Sequence, residues 1–471
     1  MGTEVEEKGG VPSIAIGKML DSLPLGPFHV LHLARQVFAQ AAFASCQVLT
    51  PYIFPGIASE YGVGDAELGV LGAAFQLGGI LGTLAAAACI DGHGRRLPMA
   101  TSSFLVAAAG VAMTWKLNFA TVLVLRALQA AAGAVTVNGF NTWYAEFLPS
   151  RGRGPLVAAV CVGWPLGRGA VIAAAKMTGA AEWRTLLLFS SFLLSCLGVV
   201  ALASEESPRH LYVSGHTSHA VAVVQSMYAF NGTPFDKKLC LEGARLADTC
   251  EVRPLVGGQV SAGKALARRL VVLSQHGKLL AYSCALFSML AVAAPLLDTW
   301  GPRAFQHFLS SDTMPHELLF VFNLGDIAGI AISIFVVDRI GRRGTMYVGF
   351  FVQGMLWSLV PLGCYIDTAK STQLLFLAGT LASGCRCFGF EAVNLWTLEV
   401  VPTEVRATAL AVGLVFMHLI AVASLVLLGP AMSHLAPAAW LLLYSVLVTC
   451  GGVLAAFLPV ETANSPMADK L

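Results

Sequence analysis

Apolar residues run through this chain in long blocks separated by short polar breaks. A helix that crosses a membrane needs about 20 such residues at a rise of about 1.5 Å each. Twelve blocks meet that length, over about 31–54, 68–90, 97–115, 119–147, 155–177, 183–204, 279–300, 315–337, 344–364, 372–398, 406–429 and 436–459. One break, 205–277, is long, polar and basic, and it divides the blocks six and six. The pattern predicts an all-α membrane protein: a tail over 1–30, a six-helix half over 31–204, a central loop over 205–277, a second half over 278–459 and a tail over 460–471.

Composition agrees. Hydrophobic residues make up 56% of the chain and charged residues 12%, against about 25% charged in a soluble domain. The mean hydropathy is +0.72. The opening MGTEVEEKGG is acidic, without the basic and apolar regions of a cleaved signal. Glu6 stands where a myristoylation pattern wants Ser or Thr. Most of the 11 cysteines fall inside apolar runs without zinc-ligand spacing, so they read as buried thiols. No metal, cofactor or nucleic acid is expected; the partners expected are the bilayer and a small solute, with the chain a monomer.

Basic residues set the orientation. Arg95, Arg96, Arg151, Arg153, Arg339, Arg342, Arg343 and Arg406 fall on one side together with the basic central loop. Only Lys116, Lys176, Arg184, Arg303 and Lys370 fall on the other. The positive-inside rule then places both termini in the cytoplasm. The sequon at Asn231 lies on that side and is expected to be unmodified.

Two patterns are written twice. NTWYAEFLPSRGR (141–153) and NLWTLEVVPTEVR (394–406) share Asn141/Asn394, Trp143/Trp396, Glu146/Glu399, Pro149/Pro402 and Arg153/Arg406. LGGILG leading to DGHGRR (77–96) matches LGDIAG leading to DRIGRR (324–343). The matches keep their order and fall on the second and fourth helices of each half. They indicate a duplicated six-helix unit in one orientation, a parallel repeat.

These motifs resemble those of the major facilitator superfamily. DGHGRR and DRIGRR look like its signature between helices 2 and 3 and between helices 8 and 9. RALQAAAG (126–133) resembles its helix 4 motif. EESPRHLYVSG, with Glu206, Ser207, Pro208 and Arg209, resembles the start of the central loop in sugar porters, organic ion transporters and synaptic vesicle glycoprotein relatives. EVVPTEVRATAL (399–410) resembles another segment of those groups. The resemblance implies a transporter that moves a small organic solute by alternating access. It also implies a latch at the cytoplasmic face, built of Asp91, Gly94, Arg95, Arg96, Glu146 and Arg153 in one half and Asp338, Gly341, Arg342, Arg343, Glu399 and Arg406 in the other. Glu146 with Arg153, and Glu399 with Arg406, look like the other partners in this ion-pair network.

Ionisable residues at membrane depth are costly and therefore functional candidates. Asp326 lies roughly 18 Å along its helix from Asp338, Arg168 roughly 20 Å from Pro155 and Arg386 roughly 20 Å from Glu399. All three fall near the middle of a core about 30 Å thick. Glu391 lies slightly lower, and Arg126 lies in the outer third of helix 4. These residues, with Asn138, Asn141 and Asn394, are the candidate lining of a central cavity. Three arginines against one Asp and one Glu give a positive sum and point to an anionic or zwitterionic solute. Internal pairing, such as Asp326 with Arg386 or Arg168, is the structural alternative. His418, the one histidine deep in the bundle, reads as a core residue.

The chain departs from the family in two places. Many proton-coupled relatives carry an Asp on helix 1 facing the helix 4 arginine, and helix 1 here has no acid. If a proton or ion is coupled, Asp326 and Glu391 are the expected carriers. Helix 7 also lacks the Gln signature of sugar porters, which demotes hexose. Organic cations, sugars and inorganic phosphate remain alternative substrates. A transporter-like sensor that binds without flux is the alternative class. No nucleophile–base pair or phosphate loop suggests an enzyme.

Overall fold

The computed structural model describes residues 11–149, 153–179, 182–235, 272, 274–309, 314–364, 368–401, 405–432 and 436–462. The first part comprises α1 (Val11–Ser22), α2 (Pro27–Gln47), α3 (Thr50–Tyr61), α4 (Asp65–His93), α5 (Arg96–Ala112), α6 (Phe119–Phe147), α7 (Arg153–Ala159), α8 (Gly163–Thr178), α9 (Trp183–Leu202), α10 (Pro208–Val213) and α11 (Thr217–Phe230). The second comprises α12 (Gly277–Phe308), α13 (His316–Tyr347), α14 (Gln353–Cys364), α15 (Thr368–Glu399), α16 (Arg406–Met432) and α17 (Pro437–Ala456). Helices α2 and α3 form one span, bent at Val48–Leu49. Helices α7 and α8 form another, joined by a 3₁₀ turn at Val160–Val162. Gly341 breaks the helical path within α13, and the π-helical turn Val348–Val352 leads into α14.

Among the described residues, ten helical stretches are long and apolar enough to cross a membrane. Helix α5, at 17 residues, and α15, at 32 residues with Arg386 and Glu391 inside it, complete the twelve predicted spans. Helix α12 runs eight residues past the predicted end at 300, to Phe308.

The two halves repeat one packing scheme. Helix α4 lies against α6, and α13 lies against α15. Lipid gives helices little hydrophobic reason to associate, so close backbone approach through small residues matters more. A Cβ on Gly78 or Gly82 would run into the carbonyls of Ala127 and Ala131. In the second half Gly325 and Gly329 meet Thr380 and Gly384 in the same way. These glycines come from the repeated LGGILG and LGDIAG segments, so the duplication is a duplicated helix contact.

Between the halves, α3 meets α12, α4 meets α16 and α8 meets α13. The arginine motifs mark one face of the bundle. At the opposite face Lys176 pairs with Glu317 at 2.7 Å, Arg303 pairs with Asp65, and Tyr52 stacks on His316. Below the arginine-bearing face, α1, α10 and α11 pack on one another through Ile16, Met19, Leu20, Tyr212, Val224 and Met227. The Asn231 side chain accepts from the Phe28 amide at 2.9 Å and donates to the Pro24 carbonyl at 3.1 Å. It ties the end of α11 to the start of the first span.

Candidate functional site

At the arginine-bearing face, each half holds one ion pair inside itself. Gly94 turns the chain out of α4 at φ +83°, a region open to glycine and strained for other residues. Arg95 then forks onto Glu146 of α6 at 2.8 and 3.0 Å. The backbone amides of Arg95 and Arg96 donate to Glu206 at 2.9–3.1 Å. The Trp143 indole donates to the Glu205 carbonyl at 2.7 Å. Ser207 caps α10, with Pro208 in its first turn, and Arg209 beside them is half-buried.

The second half repeats this atom for atom. Gly341 has φ +76°. Arg342 forks onto Glu399 at 2.8 and 3.1 Å. The amides of Arg342 and Arg343 donate to Glu461 at 2.9 and 3.0 Å, and Trp396 donates to the Val460 carbonyl at 2.9 Å.

Glu146 thus takes Arg95, and Glu399 takes Arg342. Arg95 and Arg342 leave tight turns directly beside α6 and α15, which brings their forks onto those helices. The side chains of Asp91, Arg153, Asp338 and Arg406 lie outside the described residues. Both described pairs staple helices within one half.

At membrane depth the two halves share a ring of four charges. Arg168 of α8 donates to Asp326 of α13 at 2.6 Å and to Asp298 of α12 at 3.2 Å. Arg386 of α15 donates to Asp326 at 2.8 Å and to Asp298 at 2.8 Å. Arg168 is the ring's only member from the first half. Asp326 is buried, whereas the Asp298 side chain is 28% exposed. Arg168, Asp298 and Arg386 of the ring line a cavity together with Tyr52, Ile172, Phe305 and Phe322.

Asp298 was missed in the sequence, where the seventh span seemed to end at 300. The helix continues to Phe308, which sets Asp298 roughly 15 Å inside it. Its presence changes the charge sum, because two arginines now face two aspartates.

Arg126 stands apart from the ring. It is fully buried over the Phe75 ring and donates to the Cys46 carbonyl at 3.0 Å, Thr50 at 2.7 Å and Gln129 at 2.8 Å. The bend in the first span frees the Cys46 carbonyl, and Arg126 supplies its donor. That is how a helix 4 arginine is accommodated here opposite a helix 1 without an acid.

Several polar side chains lie toward the arginine-bearing face. Gln36 and Gln40 both donate to the Asn141 oxygen, at 2.5 and 2.9 Å. Asn141 is exposed, and Asn138 and Asn394 are half-buried. Asn394 donates to the Phe390 carbonyl of its own helix at 2.8 Å. Glu391 accepts from Ser333 at 2.5 Å. His418 bridges the halves through Gln76 at 2.7 Å. Contacts between the halves thus join the face opposite the arginine motifs, whereas Asn141 is exposed.

Glu461 was also missed, because 460–471 reads as a tail. The signal was present: LASEES (202–207) and LPVET (458–462) end equivalent helices with Glu followed by a hydroxyl residue.

A family model described as "Sugar (and other) transporter" matches residues 41–469. Organic cation/carnitine transporter 7 of Arabidopsis thaliana is 23% identical, over 98% of this chain and 97% of that protein. Synaptic vesicle 2-related protein of Rattus norvegicus is 28% identical over 68% of this chain, which spans 58% of that protein's length. The inward open conformation of the xylose transporter XylE from E. coli superposes with a TM-score of 0.72 at 13% identity, covering 93% of this chain and 97% of that one. The chain belongs to the sugar (and other) transporter family, and it is a multi-pass membrane transporter of small solutes with the major facilitator fold.

Proposed function

We propose that the solute is a small organic zwitterion and that the Arg168–Asp298–Asp326–Arg386 ring binds it. The equality of charge in the ring carries this reading. A simple anion would have to displace two carboxylates and leave them facing each other, and breaking a buried pair is costly. A zwitterion offers a carboxylate to the guanidiniums and a cationic end to the aspartates, so every charge keeps a partner. Arginine's planar fork suits a carboxylate. The aromatic rings of Tyr52, Phe305 and Phe322 suit an alkylated ammonium. The name of the Arabidopsis relative includes carnitine, a zwitterion of this kind.

The arginine-bearing face is the cytoplasmic one, with both termini on it, by the distribution of Lys and Arg. The structure is then closed outward and accessible inward. Alternating access requires Arg168 to part from Asp298 and Asp326 as the halves separate at the outer face. A bound zwitterion would compensate those charges while they are apart.

The test is thermal stability of purified protein with carnitine, glycine betaine, a simple carboxylate and a simple quaternary ammonium, since a ligand of the folded state raises stability by mass action. The zwitterions should stabilise at lower concentration than either half-molecule. Equal or stronger stabilisation by the simple carboxylate would overturn the reading.

A further inference from the structure

The four-charge ring leaves one membrane-depth carboxylate unused. Glu391 lies on α15, roughly 12 Å along the helix from Glu399. Its Oε2 accepts from Ser333 Oγ of α13 at 2.5 Å, the Cys161 thiol also reaches the carboxyl, and the buried Oε1 has no nitrogen or oxygen partner. Asp298 and Asp326 each face two arginines. Among the described residues, Glu391 has no Lys, Arg or His as an ion-pair partner.

Two titratable neighbours face it. Cys161 comes from the first half, on the 3₁₀ turn between α7 and α8. Cys387 lies on Glu391's own helix, between Glu391 and Asp326. Arg386, also on α15, is committed to Asp298 and Asp326. Helices α12, α14 and α16 also pack on α15, and among the described residues they bring no charged side chain to Glu391.

An ionised carboxylate at this depth without a cation is costly. Adding a proton removes the charge and turns the unpartnered oxygen into a donor. Glu391 also sits at the boundary between the halves. Across from it the span departs from α-helical form, and a 3₁₀ stretch inside a helix often marks a hinge. Glu391 as a residue is half-buried, as is Asn394 one turn further along α15.

We propose that Glu391 is the proton-binding site that couples solute movement to a proton gradient. The proton binds Oε1 from water on the open side, stays on the carboxyl while the halves rearrange around the Cys161 turn, and returns to water on the other side. This rests on the chain being a transporter, and its first test needs no solute.

The protonated carboxyl is read by its C=O band in infrared spectra of the purified full-length protein across a pH series. A band that titrates in the parent protein should be missing from Glu391→Gln and return, shifted, in Glu391→Asp. In parallel, maleimide labelling of Asn141→Cys, on a background without other accessible cysteines, reports how open the arginine-bearing face is. Its rate, divided at each pH by that of the same cysteine in denatured protein to remove the thiol's own ionisation, should change several-fold with pH in the parent and stay flat in Glu391→Gln. Identical carboxyl bands with and without Glu391, or an unchanged labelling response in Glu391→Gln, would overturn the proposal. If Glu391→Gln does not fold, Glu391→Asp carries the same test, and a parental band in that variant would count against the site. If these results hold and no solute shows flux, the transport reading fails and the proton site stands.

Discussion

Glu206 and Glu461 are equivalent residues: each carboxylate receives the two backbone amides of an Arg–Arg pair, at 2.9–3.1 Å for Arg95–Arg96 and 2.9–3.0 Å for Arg342–Arg343. Each glutamate follows the last span of its half and ties it to the turn after the second span. Replacing the carboxylate by a neutral amide leaves one acceptor oxygen where there were two and removes the charge, at a cost of about 1–3 kcal/mol. Glu206→Gln and Glu461→Gln should each lower the unfolding temperature in detergent by similar amounts. The double variant should be close to additive, because the sites share no partner. An unchanged melting temperature for Glu461→Gln would remove it from the latch.

The repeat was legible because its residues answer to local geometry. A tight turn at positive φ needs Gly94 or Gly341, and a fork onto a neighbouring helix needs Arg95 or Arg342. Such needs leave the same letters in both halves. Asp298 and Glu461 were not legible for a different reason. Each lies near the end of an apolar block, where hydropathy alone cannot tell a helix interior from a loop. The pairing of Glu146 with Arg95 depends on the approach of α5 to α6, which the linear sequence does not contain.

Asp298→Asn tests the charge balance of the ring. It leaves two arginines against one aspartate, a net positive site. Binding should shift from zwitterions toward simple carboxylates, read as a reversal of their relative potency in thermal-shift titrations. An unchanged order of potency would place the solute elsewhere.

Arg168→Ala removes the only ring member contributed by the first half. The outer closure then keeps Lys176–Glu317, which is exposed and worth little by itself, and the Arg303–Asp65 pair. The resting state should shift toward opening at that face. Labelling of Ile172→Cys from the outer side should rise several-fold; an equal or lower rate would show that the ring does not hold this face shut.

Arg386→Lys retains the charge and loses the fork that reaches Asp298 and Asp326 together. Affinity for the solute should fall by about tenfold, the equivalent of about 1.4 kcal/mol, with expression near that of the parent. Arg386→Ala should abolish uptake. If Arg386→Ala fails to fold and Asp326→Asn with Arg386→Gln restores folding, Arg386 is a structural partner of Asp326 and not a solute ligand.

The most direct test of the account is exchange of a labelled zwitterion, beginning with carnitine and glycine betaine, across proteoliposomes containing the purified protein. Unlabelled solute trapped inside should drive uptake of the label, and Arg386→Ala vesicles should show none. Saturable binding of the zwitterion without any exchange would contradict the account and make the chain a binding protein on a transporter fold.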